Sequence, residues 1–327
     1  MIEPPDLRLA RPIDLHDGVT STTRHVWSML QAADAGDLAR IAQLTDATPA
    51  LASCRYDDTG PLHLAVLKGH LEVCRFLVDR GGYDPDYESH VFRESLPTLA
   101  QDRGATDIER LLREAMMDPA RARKRPDTGR IDFGFDEEET AFQQAVDEGG
   151  FARVESMLAK RPDLARDERA FWGEGILAMP AKECDWPLVD LLMRHGARVP
   201  DVTKWGARYY FEKTEGLRGL LARGADPNHR SWRGFSLLHD FAFTGEVDKL
   251  EALLDHGASI DSLDDEFAST PLAYAAHWGR VAAADLLLSR GADPNKAGAP
   301  WATPLAWARR KGHVEIANRL VRARAQS

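Results

Sequence analysis

Cysteine is nearly absent: Cys54, Cys74 and Cys184 are the only three in 327 residues, far apart and without a Cys-x-x-Cys pair. That excludes a disulfide framework and a paired-cysteine zinc motif, and a reducing, cytoplasmic setting is expected. No run approaches the roughly 18 consecutive apolar residues of a membrane span, so no membrane association is expected. Met1-Ile-Glu-Pro-Pro-Asp supplies acids and prolines where a secretory leader needs basic residues and an apolar run, so no leader is expected either. Positive charge is in deficit, with 42 Lys and Arg against 52 Asp and Glu and a net charge of -10. Such a chain repels a phosphate backbone, and nucleic acid is not an expected partner. The motifs of common catalysts are missing too: there is no G-x-S-x-G, no P-loop and no H-E-x-x-H. No catalytic residue, metal ligand or cofactor is therefore expected.

What the chain does have is a period. Gly-Ala-Asp-Pro-Asn occurs at Gly224–Asn228 and again at Gly291–Asn295, with a decayed copy, Gly-Ala-Ser-Ile-Asp, at Gly257–Asp261. The first glycines lie 33 and then 34 residues apart. Such a period marks a stack of copied supersecondary units that bury a continuous core between neighbours. The 43% of hydrophobic residues is enough to fill it.

The clearest unit reads STPLAYAAHWGRVAAADLLLSRGADPN from Ser269. Thr270 is placed to cap a helix, and Pro271 follows at the first helical position, where a missing N–H costs nothing. Leu272, Ala275 and Ala276 supply an apolar stripe, and Gly279 ends the helix in the left-handed region. A second helix runs through Val281 to Ser289. Related openings recur at Thr59–His63, Ser236–His239 and Thr303–Leu305, and weaker ones near Val26, Glu94 and Thr140.

These units resemble the ankyrin repeat, whose T-P-L-H-x-A pattern they share. The resemblance implies an all-α, ankyrin-type helix-pair solenoid of about nine units with short finger loops. It also implies a protein-binding role through the fingers and first helices. The histidines fall at repeat-determined places: His63 and His239 in the T-P-L-H motif, His70 and His313 after the mid-repeat glycine. The family resemblance implies that they bond neighbouring turns or backbone.

Four segments are expected: an extended arm at 1–24, an array of about three repeats at 25–117, a charged linker at 118–137 and an array of about six repeats at 138–327. Arg121, Arg123, Lys124 and Arg125 of the linker read either as a solvated loop or as a docking patch for an acidic partner. Two units are irregular. Gly196 and Gly224 are only 28 residues apart, so the unit at Lys204–Ala222 has lost about five positions. The unit before it carries Pro180 and Pro187 within expected helices, which predicts a short or displaced first helix.

Aromatics mark the same region. Trp172, Trp205, Trp232, Phe267 and Trp301 each precede a first helix, at spacings of 33, 27, 35 and 34 that follow the period and its short member. Stacking should set these rings in a row, about 8–10 Å apart. Two readings stand open: the rings brace one another, or they form a row for a protein partner. With Arg208, Tyr210 and Arg233 nearby, the second reading makes Trp172, Trp205, Arg208, Tyr210, Trp232, Arg233, Phe267 and Trp301 the candidate partner-binding residues. The alternative from another class is a small-molecule sensor or atypical enzyme with an aromatic pocket in 172–235.

Overall fold

The computed structural model describes residues 1–15, 18–90, 92–118, 121–122, 131–204 and 209–323. The fold is all-α, built from stacked helix pairs, and the chain divides into two compact units: Leu7–Gly134, and Phe135–Ser327 together with Met1–Asp6.

In the first unit, short strands Pro12–Asp14 and Thr20–Thr22 pair antiparallel, and Ile13 also bridges Ile131. Ile13 and Leu15 are buried, so this part of the expected arm is anchored by apolar side chains. Three helix pairs follow: Thr23–Ala35 with Leu38–Ala47, Pro61–Lys68 with Leu71–Asp79, and Leu96–Asp102 with Thr106–Met116. Of the basic linker residues, Arg121 pairs with Asp79 at 2.6 Å; Arg123, Lys124 and Arg125 lie outside the described residues.

The second unit opens with Glu137–Asp147, whose first turn is held by a reciprocal box between Asp136 and Glu139. Its partner is Phe151–Leu158. Next come Ala178–Glu183 with Trp186–Arg194, then Thr214–Leu221, then three regular pairs: Leu237–Thr244 with Val247–Asp255, Pro271–His277 with Val281–Ser289, and Pro304–Arg310 with Val314–Arg322. The Thr270 and Thr303 hydroxyls accept from the N–H groups of Ala273 and Ala306 at 3.3 and 3.2 Å, as cap residues should.

A repeated stitch holds successive pairs together. The His313 ring bonds the carbonyl of His277 through Nε2 at 3.0 Å and lies over Gly279, whose φ is +68. The His70 ring does the same to Asp34, at 3.0 Å, over Gly36. A Cβ on either glycine would come within 2.7 Å of the imidazole. Glycine thus serves twice, by entering the left-handed region and by leaving room for the next unit's ring.

The irregular units are repaired locally. Pro180 and Pro187 both sit in the first turns of their helices, where their missing N–H groups would be orphans in any case. The first of these helices has only six residues, as its proline implied. Beside the short unit, the buried Lys249 reaches back to donate to the Glu212 carbonyl at 2.5 Å and to Glu246 at 2.6 Å. Trp186 packs against Gly219, a contact only a residue without Cβ permits, and Arg223 covers the ring at 4.4 Å while pairing with Asp190.

Candidate functional site

The loops that precede the first helices are tied side to side. Val202–Thr203 pairs in parallel with Arg230–Ser231, and the Trp232 N–H donates to the Thr203 carbonyl at 3.3 Å. The Lys204 N–H donates to the buried Glu174 carboxylate at 3.0 Å, and the Gly298 N–H to the Ala268 carbonyl at 2.7 Å. These bonds tie together finger loops that are far apart in sequence.

Most of the rings on this face point inward. Trp232 and Phe267 are fully buried, and Phe267 packs against Phe235 and Tyr274. Tyr210 is buried as well, and its hydroxyl donates to the Glu174 carbonyl at 2.5 Å. Burial pushes the Tyr210 phenol well above its ordinary range, so it stays a neutral donor. Trp301 is half-buried and meets Trp307 edge to face at 6.0 Å. Arg233 is 7% exposed; it lies 5.2 Å over the Phe235 ring and 3.8 Å from Glu266. The sequence left two readings open; the side chains of Trp232, Phe267, Tyr210 and Arg233 are buried, as rings that brace one another would be. Their positions follow the period, but desolvation of large rings in the inter-unit core outweighs display. Trp205 and Arg208 lie outside the described residues.

Trp172 is the exception. Its ring is 53% exposed and stacks on Tyr209, with centroids 5.9 Å apart and planes 26° from parallel. Tyr209 is half-buried, and Lys182 lies 5.8 Å from its ring centre on the neighbouring first helix. The backbone that carries Trp172 is strained: Phe171 and Trp172 have φ of +48 and +64, followed by +85 at Gly173 and +87 at Gly175. A bulky residue in the left-handed region costs roughly 1–2 kcal/mol. Two together persist only where their surroundings over-determine them. Those surroundings are the buried Phe171 side chain, the Gln143 carboxamide oxygen that accepts the Phe171 N–H at 3.3 Å, and the anchored Glu174. The result is a large ring displayed on a fixed backbone. Nearness in sequence put Tyr210 among the candidates, whereas the ring that stacks on Trp172 is that of Tyr209.

Further along the face, the acidic stretch Asp264-Asp265-Glu266 is more than a solvated finger. Asp264 is 3% exposed, and its carboxylate accepts the N–H groups of Glu266, Phe267 and Ser269 at 2.8, 2.5 and 3.0 Å. Burial pushes its carboxyl up to about 7 and nearby Glu266 adds to the rise, although the three donors favour the ionised form. Next to it His239 bonds Ser236 through Nδ1 and the Ser269 carbonyl through Nε2, and burial lowers it to about 4. This histidine is a neutral strut between units, as the repeat pattern implied.

In the first unit, a small cavity of about 20 Å³, room for one water, is lined by Arg55, His63, Asp84 and Tyr87 among others. The Tyr87 hydroxyl meets His63 Nδ1 at 2.5 Å, and Arg55 pairs with Asp84 at 2.7 Å. Its polar lining is thus engaged with itself. Cys54 beside it is buried, and its thiol is pushed up to about 12, which makes it a poor nucleophile.

Comparison with known proteins agrees with this geometry. A family model described as ankyrin repeats (3 copies) matches residues 206–297, and a single ankyrin repeat model matches residues 57–90. Human ARF GTPase-activating protein GIT1 is 39% identical over 84 residues, which is 26% of this chain and 11% of that protein. The palmitoyltransferase Hip14 of Drosophila melanogaster is 35% identical over 78 residues, 24% of this chain and 12% of that protein. The matched segment therefore spans only about a tenth of the curated relatives' length. The solved structure of an ankyrin repeat domain from Acinetobacter baumannii AYE covers 57% of this chain and 100% of that one, at 25% identity and a TM-score of 0.46.

Proposed function

Since the chain is an ankyrin-repeat protein, we propose that it works as a binding protein, and that the finger face of its second unit, centred on Trp172 and Tyr209, holds a protein partner. Ankyrin repeats are a protein-interaction module, which supports the general role. The observation that carries the specific reading is the exposed Trp172 ring, stacked on Tyr209 and fixed by a left-handed backbone. A rigid tryptophan offers a large contact area with little side-chain entropy to lose, as interface anchors do. Support for an intracellular site of action comes from the three free thiols. Among the described residues no helix is long and apolar enough to cross a membrane.

The test is Trp172→Asn, because asparagine tolerates the left-handed region while removing the ring. Affinity capture with wild type and variant, followed by quantitative mass spectrometry, should show one or more partners lost by the variant at unchanged thermal stability. Identical capture by a folded variant would refute the assignment of this face.

A further inference from the structure

The two compact units close on helix pairs of the same design but different surface chemistry. The closing pair is Leu96–Asp102 with Thr106–Met116 in the first unit, and Pro304–Arg310 with Val314–Arg322 in the second. Their second helices align from the turn glycines, Gly104 and Gly312, both at positive φ. The inward positions then match: Ile108 with Ile316 and Leu112 with Leu320, all buried. The outward positions do not. The first unit has Thr106, Glu109 and Arg113 there, with Glu109 and Arg113 joined by an ion pair at 2.9 Å. The second has Val314, Ala317 and Val321, a stripe at i, i+3 and i+7, with Val314 68% and Val321 52% exposed. A repeat array needs a polar outer face on its terminal unit. The last helix of the first unit supplies one; the last helix of the second does not.

The regular units show what covers these positions. Counted back by the period, Val314 corresponds to Val281 and Val247, and Val321 to Leu288 and Leu254. All four are half-buried, and each of their helices has the next second helix packed on it: Val281–Ser289 on Val247–Asp255, and Val314–Arg322 on Val281–Ser289. Among the described residues no helix follows Val314–Arg322. Gly279 lies under the His313 ring of the next unit, whereas no described atom stands within 4 Å of a Cβ built on Gly312. The last helix thus presents the aliphatic edge that the array elsewhere covers with an amphipathic helix.

We propose that this edge docks an amphipathic α-helix of a partner protein, one that lays an aliphatic stripe on Val314, Ala317 and Val321 and carries carboxylates beside it. The surface is separate from the Trp172 finger. The carboxylates follow from the charge of the closing pair. In Pro304–Arg322, Arg309, Arg310, Lys311, Arg319 and Arg322 stand against Glu315 alone, in a chain whose net charge is -10. Arg319 is engaged with Asp285 and Glu315, both at 2.8 Å, and Arg310 lies 5.1 Å over the Trp307 ring. Arg309 and Arg322 are exposed. Arg309 also takes the place that Ala242 and Ala276 fill, fully buried, in the two units before it. A plain continuation of the array would bury that guanidinium alone, so the occupant must bring an acid to meet it. A second copy of this edge would bring the same cations, and like charge works against such a two-fold pairing. The valines then supply contact area, and the arginines select the partner.

The experiment uses the full-length chain and a fluorescein-labelled amphipathic helix of about 20 residues, with leucine along one face and glutamate flanking it, read by anisotropy. A twin peptide carries lysine in place of every glutamate. Wild type should bind the acidic helix about tenfold or more tightly than its twin. Val314→Thr combined with Val321→Arg installs, at two exposed positions, the residue types that close the first unit. That variant should keep the wild-type Tm and lose about tenfold or more in affinity for the acidic helix. Arg309→Glu should turn the preference toward the lysine twin. Equal affinity for the two peptides, unchanged binding by the paired variant, or no binding by wild type at about 100 μM helix would overturn the proposal. So would a lowered Tm in the paired variant, since the valines would then be core. A wild-type dimer in light scattering that the paired variant dissociates would overturn it too, because the occupant would then be a second copy. Trp172→Asn should leave this binding intact, so the two surfaces can fail separately.

Discussion

Asp264 gives the sharpest prediction about stability. Its folded pKa of about 7 lies above the ordinary 3.8, chiefly because the carboxyl is buried. A carboxyl with a raised folded pKa binds its proton more tightly when folded. Its contribution is fully present below about pH 4, declines as pH rises from 4 to 7, and is flat above that. Three units at 1.36 kcal/mol each give on the order of 4 kcal/mol across the window, an upper figure because three N–H donors partly hold the charge. The wild-type curve alone will not show this. His229 and His239 are both lowered by burial to about 4 from 6.5, and they act in the opposite sense, losing stability as pH falls from 6.5 to 4. The informative quantity is the difference between wild type and Asp264→Asn, in which the histidine terms cancel. Asparagine keeps the carbonyl acceptor for Glu266 and Phe267 and loses one acceptor for Ser269, a loss that displaces the curve without tilting it. Urea unfolding followed by far-UV circular dichroism at pH 4.5, 5.5, 6.5 and 7.5 measures that difference. Wild type should lose ground to the variant at each step, by up to about 1.4 kcal/mol per unit. A flat difference, or one of opposite slope, would show that the N–H cradle outweighs burial and that Asp264 is ionised throughout.

The other predictions concern packing and display. Gly219→Ala places a methyl 2.1 Å from the Trp186 ring and should lower stability by about 1–3 kcal/mol in thermal unfolding; an unchanged Tm would mean that the ring has room to move. Leu287→Ala empties a fully buried site in the regular array and should cost about 2–5 kcal/mol in urea, whereas a cost below about 1 kcal/mol would contradict a close-packed interface between the repeats. Trp172→Asn should change stability by less than about 1 kcal/mol, because lost stacking on Tyr209 is offset by relief of the left-handed backbone; a larger loss in calorimetry would make the ring a structural brace.

The repeats were legible because their determinants are local. Thr270, Pro271 and Gly279 specify where a helix starts and stops through their own backbone chemistry, and the structure follows them. The prolines at 180 and 187 were legible in kind: they shortened one helix, and each found a first turn. The aromatic row was legible in position but not in direction. A period of about 33 says that Trp172, Trp232 and Phe267 occupy equivalent fingers; which way a ring points depends on one or two backbone torsions at the finger turn. At Trp232 and Phe267 the ring is buried in the core. At Trp172 two consecutive left-handed residues turn it out. The short helix Pro5–Arg8 was not legible either, since four residues are too few to show a period.

Strain at Phe171 and Trp172 connects these observations. Two bulky left-handed residues together cost on the order of 2–4 kcal/mol, a substantial share of the stability of any ordinary domain. A glycine at 172 would remove much of that cost, and packing alone gives no reason to keep tryptophan, because its ring contributes little burial. The same turn that exposes Trp172 sets Gly173 at φ +85, clears the space that Asp6 occupies, and leaves Glu174 facing inward to accept the Lys204 N–H. One strained corner therefore does three things: it exposes the Trp172 ring, makes room for the Asp6 side chain and ties the neighbouring finger in place. They coincide where the repeat pattern is least regular.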